Sequence, residues 1–224
     1  MISGGPGSGK SSFAKIFAAK IFNEEKFRVL LVPLHLIDAS KDFAAEISNF
    51  LRDTNSLSFN PLDNGNQENN LIIILDGLDE LASQGKAAAQ LAKDFVRTVR
   101  TFVERKNHAQ LCIRVIFCGR EIAIQDSEKE LKSSEHIYSV LSYLTSDQKI
   151  ASELNISHLE GNNLLSEDNR DIWWSTYGKL TGENYQALPE ELRRDDLEEI
   201  TSQPLLNYLL ALSFCRGKLN LAIS

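Results

Sequence analysis

Gly4, Gly9, Lys10 and Ser11 complete the spacing GxxxxGK[ST] inside "GGPGSGKSSF", and this set of residue types suits one task, the cradling of phosphate. Glycines let the backbone approach phosphate oxygens and aim successive N–H groups at them. A helix beginning near Gly9 turns its positive dipole end on the same charge. Lys10 is spaced to reach the β- and γ-phosphates of a nucleotide, and the Ser11 hydroxyl to ligate Mg²⁺. Gly5, Pro6, Gly7 and Ser8 are the four free positions of the motif, and Ser12 follows it.

A second group follows the apolar run "LIIIL" (71–75). Asp76 closes that run, at the end of a strand where ligands bind in open α/β sheets, and a carboxylate there holds Mg²⁺ in partnership with Ser11. Asp79 and Glu80 are two candidates for orienting or deprotonating an attacking water, and residue type does not choose between them. Arg120 ends the run "RVIFCGR". A guanidinium at a neighbouring strand end either contacts a γ-phosphate and senses it or is simply solvated.

These residues need elements to hold them. After the loop, Phe13, Ile16, Phe17 and Ile21 recur at helical spacing. "KFRVLLVPLHLID" reads as a buried strand from Arg28 to Val32, extending at most to Leu36, with Pro33 marking an edge or an early end. Phe43, Ile47, Phe50 and Leu51 form one helical face, and 53–70 is a long polar connection to which the residues attach no function. The continuous apolar run before Asp76 is the pattern of a parallel strand covered on both faces. Segment 86–106 is an amphipathic helix with the stripe Leu91, Phe95, Val99, Phe102 and Val103. Its Lys93, Arg97 and Arg100 read as a solvated face. "LCIRVIFCGRE" makes a third strand, and strands separated by helices predict an α/β architecture with a largely parallel sheet.

From about Leu141 the strand signal stops. "TSDQKIASEL", "SEDNRDIWWSTYGKL", "LPEELRRDDLEEI" and "SQPLLNYLLALSF" all read as helices opened by Ser, Thr or Pro. The expected organisation is a nucleotide-binding domain over 1–140 and a small all-α subdomain over 141–224. Only three residues precede Gly4, where a strand needs about five. The first strand is therefore expected to be truncated and the chain to be a piece of a longer protein. Adjacent Trp173 and Trp174 point about 100° apart on a helix, which favours packing over a base-stacking platform.

Bulk composition narrows the classes. The 224 residues are 42% hydrophobic and 25% charged, ordinary for a globular chain. A net charge of −7 argues against a surface built for non-specific nucleic-acid binding. No apolar run approaches the roughly 20 residues that span a bilayer, and no leader-like segment precedes the loop, so the cytoplasm is the expected location. Cys112, Cys118 and Cys215 form no CxxC pair and read as buried reduced thiols. His35, His108, His136 and His158 lack ligand spacing, so Mg²⁺ accompanying the nucleotide is the metal expected.

In this order, "GGPGSGKSS", "LIIILDGLDEL", "RVIFCGRE" and "ITSQPLLNYLLAL" resemble the NACHT family of STAND signalling ATPases, over nearly the whole chain. DGLDE discriminates most, because AAA-type ATPases usually place glutamate directly after the magnesium aspartate. The resemblance implies that ATP or ADP sits on Gly4 to Ser12 and that Asp76 binds Mg²⁺. It further implies that Arg120 senses the γ-phosphate and that Pro204 packs near the adenine. From the residues alone, Pro204 is a helix N1 residue. The family usually has Thr-Ser before its sensor arginine, whereas Cys118 and Gly119 stand here.

The resemblance also implies an ADP-closed, ATP-open switch with slow hydrolysis, self-association in the full-length protein, sensor and effector modules outside this piece, and a role in innate immunity or anti-phage defence. The alternatives are a P-loop small-molecule kinase, for which Arg193 and Arg194 are the only adjacent arginines, and a nucleotide-bound scaffold without turnover.

Overall fold

A computed structural model describes residues 1–24, 27–55, 60–62, 70–82, 86–109, 112–121, 123, 124, 127, 137–144 and 168–217. The described chain divides into two compact units, one of residues 1–6 and 10–140 and the other of residues 7–9 and 141–224.

The first unit is built on five parallel strands, β1 (Ile2–Ser3), β2 (Arg28–Pro33), β3 (Asn70–Asp76), β4 (Cys112–Gly119) and β5 (Tyr138–Ser139), in the order β2-β3-β4-β1-β5. Between them lie α1 (Lys10–Asn23), α2 (Phe43–Asp53), α3 (Leu78–Ala82) and α4 (Lys86–His108). This is the parallel α/β architecture expected. β2 is an edge strand and ends at Pro33, which cannot donate to a further ladder bond. Residues Leu34–Leu36 turn into a 3-10 helix instead of extending the strand. β5 went unread in the sequence: two residues, Tyr138 and Ser139, carry too short a pattern to register, yet they pair with Ile2 and Ser3.

β3 shows why an unbroken apolar run is needed. Leu71, Ile73 and Leu75 enter one core with α2 and α4 residues, while Ile72 and Ile74 enter a second core with Ala14 of α1. Each of the five is buried, worth about 1.5–3 kcal/mol apiece. α2 is started by Asp42, whose carboxylate accepts from the Ala45 amide at 2.9 Å, and it buries Phe43, Ile47, Phe50 and Leu51 as the spacing requires. Phe43 meets Phe95 and Phe102 of α4 edge-on.

Two helical faces are rotated from their expected positions. On α1 the sheet side is Ala14, Phe17, Ala18 and Ile21, and Ile16 is 70% exposed. The i, i+3, i+4, i+7 series starting from Ala14 wins because two small alanines let the helix lie close on β3. On α4, Ala92 and Val96 are buried beside Phe95, Val99 and Phe102, whereas Leu91 is only half-buried.

In the second unit, α5 (Arg170–Thr181), α6 (Glu198–Ser202) and α7 (Pro204–Cys215) surround Trp174, Leu188, Leu192, Leu210 and Ala211. Trp174 is fully buried and its indole N–H donates to Asn207 Oδ1 at 3.0 Å; Trp173 stacks on Tyr177. Both tryptophans therefore pack. The expected continuous helix over "LPEELRRDDLEEI" is broken into 3-10 turns at Glu190–Leu192 and Asp195–Leu197 before α6. The cause is tertiary. Leu188 and Leu192 are drawn into the core, Arg193 pairs with Asp171 and Arg194 with Asp196, and the intervening backbone at Arg194 is extended. The helix expected over "TSDQKIASEL" lies outside the described residues. No described helix is long and apolar enough to cross a membrane.

Candidate functional site

Strand register assembles the site. Ile2 pairs with Cys118 and Cys118 with Asp76, while Ser3 pairs with Gly119. The carboxyl ends of β1, β4 and β3 are thus level, and the residues that leave them, Gly4, Arg120 and Asp76, emerge along one edge of the sheet. That edge is where open α/β sheets bind ligands.

The loop after β1 carries left-handed backbone at Gly7 (φ 70°) and Gly9 (φ 94°), conformations that a side chain would strain. A Cβ at Gly9 would have no atom within 4 Å, so the concavity there is open. Lys10 begins α1, and its ammonium donates to Gly4 O at 2.8 Å and Gly5 O at 2.9 Å. Burial holds the Lys10 pKa below its usual value and Arg120 adds to that effect, while Asp79 and Asp76 oppose it. A partly desolvated ammonium satisfied only by neutral carbonyls is a strong anion site. The Ser8 hydroxyl is buried without a hydrogen-bond partner among the described residues, which suits it to donate to a phosphate oxygen. Ser11 and Ser12 occupy the exposed first turn of α1.

Within the second unit, Pro204 stands at the first turn of α7, as its N1 reading expects. The Leu205 amide donates to Gly7 O at 3.2 Å, and a Cβ on Gly7 would come within 2.8 Å of Leu205 Cβ.

The turn after β3 sorts the acids. The Gly77 amide donates to Cys118 O at 3.0 Å and its carbonyl accepts from the Glu80 amide at 2.9 Å. Its φ is 95°, and a Cβ there would lie 3.1 Å from the Glu80 carboxyl carbon. A Gly77→Ala chain is therefore expected to lose about 1–3 kcal/mol of stability, measured as a lower urea midpoint at unchanged slope. An unchanged midpoint would remove the strained-turn account. Beyond Gly77, Asp79 turns to β4: its Oδ1 accepts from the Arg120 amide at 3.0 Å and its Oδ2 lies 3.0 Å from Arg120 Nε. Glu80 turns elsewhere, with Oε2 3.4 Å from His35 Nδ1. The sequence left these acids equivalent, and His35, two residues past Pro33, carried no signal of its own.

Gly119 has a steric reason to be bare, since a Cβ there would sit 3.0 Å from Leu78 Cβ. Cys118, fully buried between Ile2 and Asp76, has its thiol pushed up to about 12, first by burial and then by Asp76. It is a packing residue, not a nucleophile. Cys112 and Cys215 are also free thiols.

Mg²⁺ fits the residues present. Asp76 is half-buried at the β3 end and its carboxylate makes no hydrogen bond or ion pair with another described residue, and the Ser11 hydroxyl likewise has none. An uncommitted carboxylate and hydroxyl beside an anion cradle are hard oxygen donors suited to this ion, which usually takes one or two protein ligands plus phosphate oxygens.

A five-stranded parallel sheet with a glycine loop and lysine after β1 and an aspartate ending β3 defines a P-loop NTPase fold. The family model of the AAA proteins, the ATPase family associated with various cellular activities, matches residues 1–138, and the chain belongs to that family. Its members bind and hydrolyse nucleotide at the P-loop, typically with Mg²⁺. Among solved structures, the crystal structure of Cdc6p from Pyrobaculum aerophilum matches with a TM-score of 0.44 and 12% identity, covering 81% of this chain. The chain spans 56% of that protein's length. No curated protein matches.

Proposed function

We propose that this AAA-family chain is the core of a NACHT-type signalling switch. It rests with ADP, exchanges it for ATP when a ligand is sensed elsewhere in the full-length protein, and hydrolyses ATP slowly to reset. The observation that carries the reading is Arg120, held by Asp79 at the sheet edge where Gly4 and Asp76 also emerge. A cation so placed can distinguish a nucleotide with a γ-phosphate from one without. In this reading Lys10 leaves the Gly4 and Gly5 carbonyls for the β- and γ-phosphates, and Glu80 orients the water. Ser11 and Asp76 would hold Mg²⁺, whose charge offsets that developing on the transferred phosphoryl group. Pro204 would contact the adenine. The order of motifs from GGPGSGKSS to ITSQPLLNYLLAL supports the NACHT assignment, and defence against invaders follows from it by analogy alone.

The small-molecule kinase reading needs arginines to serve a lid. Arg193 and Arg194, its candidates, are each paired to an acid in the second unit, Asp171 and Asp196, and this weighs against it. The test is the identity of the nucleotide released on denaturing the purified full-length protein, separated by chromatography. Stoichiometric ADP is the expected result. An empty site that turns over ATP rapidly once a small acceptor is supplied would replace the switch by an enzyme.

A further inference from the structure

Asp79 and Glu80 are adjacent, yet they do different things. Asp79 is 19% exposed, and both its carboxylate oxygens face Arg120, one toward the main-chain N–H and one toward Nε. With each oxygen already held by Arg120, Asp79 is poorly placed to take a proton from water. Arg120 is itself 59% exposed, so little else restrains its side chain. A long arginine at a strand end otherwise samples many rotamers and loses that freedom on meeting a ligand. Pairing through Nε spends one edge of the guanidinium and leaves the end-on edge, Nη1 and Nη2, for two phosphate oxygens.

The close approach that permits this pairing is built in on both sides. Gly77 turns the chain at positive φ, fully buried Leu78 pins the first turn of α3, and bare Gly119 lets that turn lie against β4. Lys10 feels Asp79, Arg120 and Asp76 together, so the pair stands beside the phosphate cradle.

We infer that Asp79 is a positioning residue: it preorganises Arg120 to read the γ-phosphate, and so sets the preference of the site for ATP over ADP. This rests on the proposed role of Arg120 as the γ-phosphate sensor. The division of labour goes beyond that role, since it removes Asp79 from hydrolysis and gives it to nucleotide discrimination.

The test is a double-mutant cycle on the chain with Arg120→Ala, Asp79→Ala and both, read by displacement of a fluorescent ADP derivative with ADP and with the slowly hydrolysed γ-thio analogue of ATP. Arg120→Ala is expected to weaken the ATP analogue about tenfold and ADP less than about twofold. Asp79→Ala is expected to reproduce most of that selective loss, and to add nothing in the Arg120→Ala background. Asp79→Asn keeps an acceptor for the Arg120 amide without the charge, and it serves where the alanine variant does not fold. Its expected loss is selective for the ATP analogue and smaller than that of Asp79→Ala.

If Arg120→Ala leaves the ATP-to-ADP ratio unchanged, the sensor reading itself fails. If Arg120→Ala behaves as expected, three results overturn the positioning role alone. These are no change in the ratio on altering Asp79, an equal loss for both nucleotides, or an equal selective loss when Arg120 is already absent. A full ratio with lost turnover in Asp79→Asn also overturns it and makes Asp79 a hydrolytic acid.

Discussion

Replacing Lys10 with alanine is expected to weaken ATP binding at least tenfold, about 1.4 kcal/mol, while the chain stays folded. The ammonium is partly buried and donates only to Gly4 O and Gly5 O. These are neutral acceptors six and five residues back in the same loop, so its removal costs a local tie and breaks no long-range hydrogen bond. Phosphate gains far more from the same group, because it carries a full negative charge and adds a Coulomb attraction that a neutral carbonyl lacks. Burial has already depressed the lysine pKa, and an incoming anion relieves that destabilisation of the charged form. Titration calorimetry with ATP, alongside a thermal melt of the same variant, checks the result. Unchanged affinity in a folded variant would sink the phosphate-cradle account.

Glu80→Gln is expected to slow ATP turnover by about 10²–10⁴-fold, the usual contribution of a positioned acid or base, with affinity for ATP within about twofold. Glutamine keeps the size of the side chain and its packing on the bare Cα of Gly77, and it can still meet His35. What it loses is the carboxylate charge that, in the proposed role, orients and polarises water. Single-turnover hydrolysis beside equilibrium binding separates the two quantities. A Glu80→Gln chain with full turnover would point to another base. If neither Glu80→Gln nor Asp79→Asn alters turnover, these acids are not hydrolytic machinery.

Much of the site could be read from the chain itself, because its parts are encoded locally. The loop from Gly4 to Ser12 depends on glycine torsions and a following helix, all within a few residues. The apolar run Leu71–Leu75 announces a strand covered on both faces, and the acid after it announces where that strand ends. Pro33 marked the edge of the sheet for an equally local reason, its missing N–H.

The errors are of a different kind. The buried face of α1 was misjudged by one residue step, because apolarity was weighed where closeness of approach decides, and Ala14 packs better than Ile16. The helix expected after Pro189 is interrupted because Arg193 and Leu192 answer to partners about 20 residues away, Asp171 and Trp174. Two-residue β5 has no pattern of its own and exists by pairing with β1.

By itself, then, the sequence determined that this chain is α/β, that a glycine-rich P-loop follows its first strand, that an aspartate ends the apolar strand before Gly77, and that an arginine follows a neighbouring strand. Those features rest on periodicity and on residue chemistry within short windows. Only the tertiary structure decided that Asp79 belongs to Arg120 and Glu80 to His35. Both partners lie just past the ends of other strands, 41 residues after Asp79 and 45 before Glu80. Such pairings are set by the parallel register of β2, β3 and β4, a long-range property that no local pattern contains.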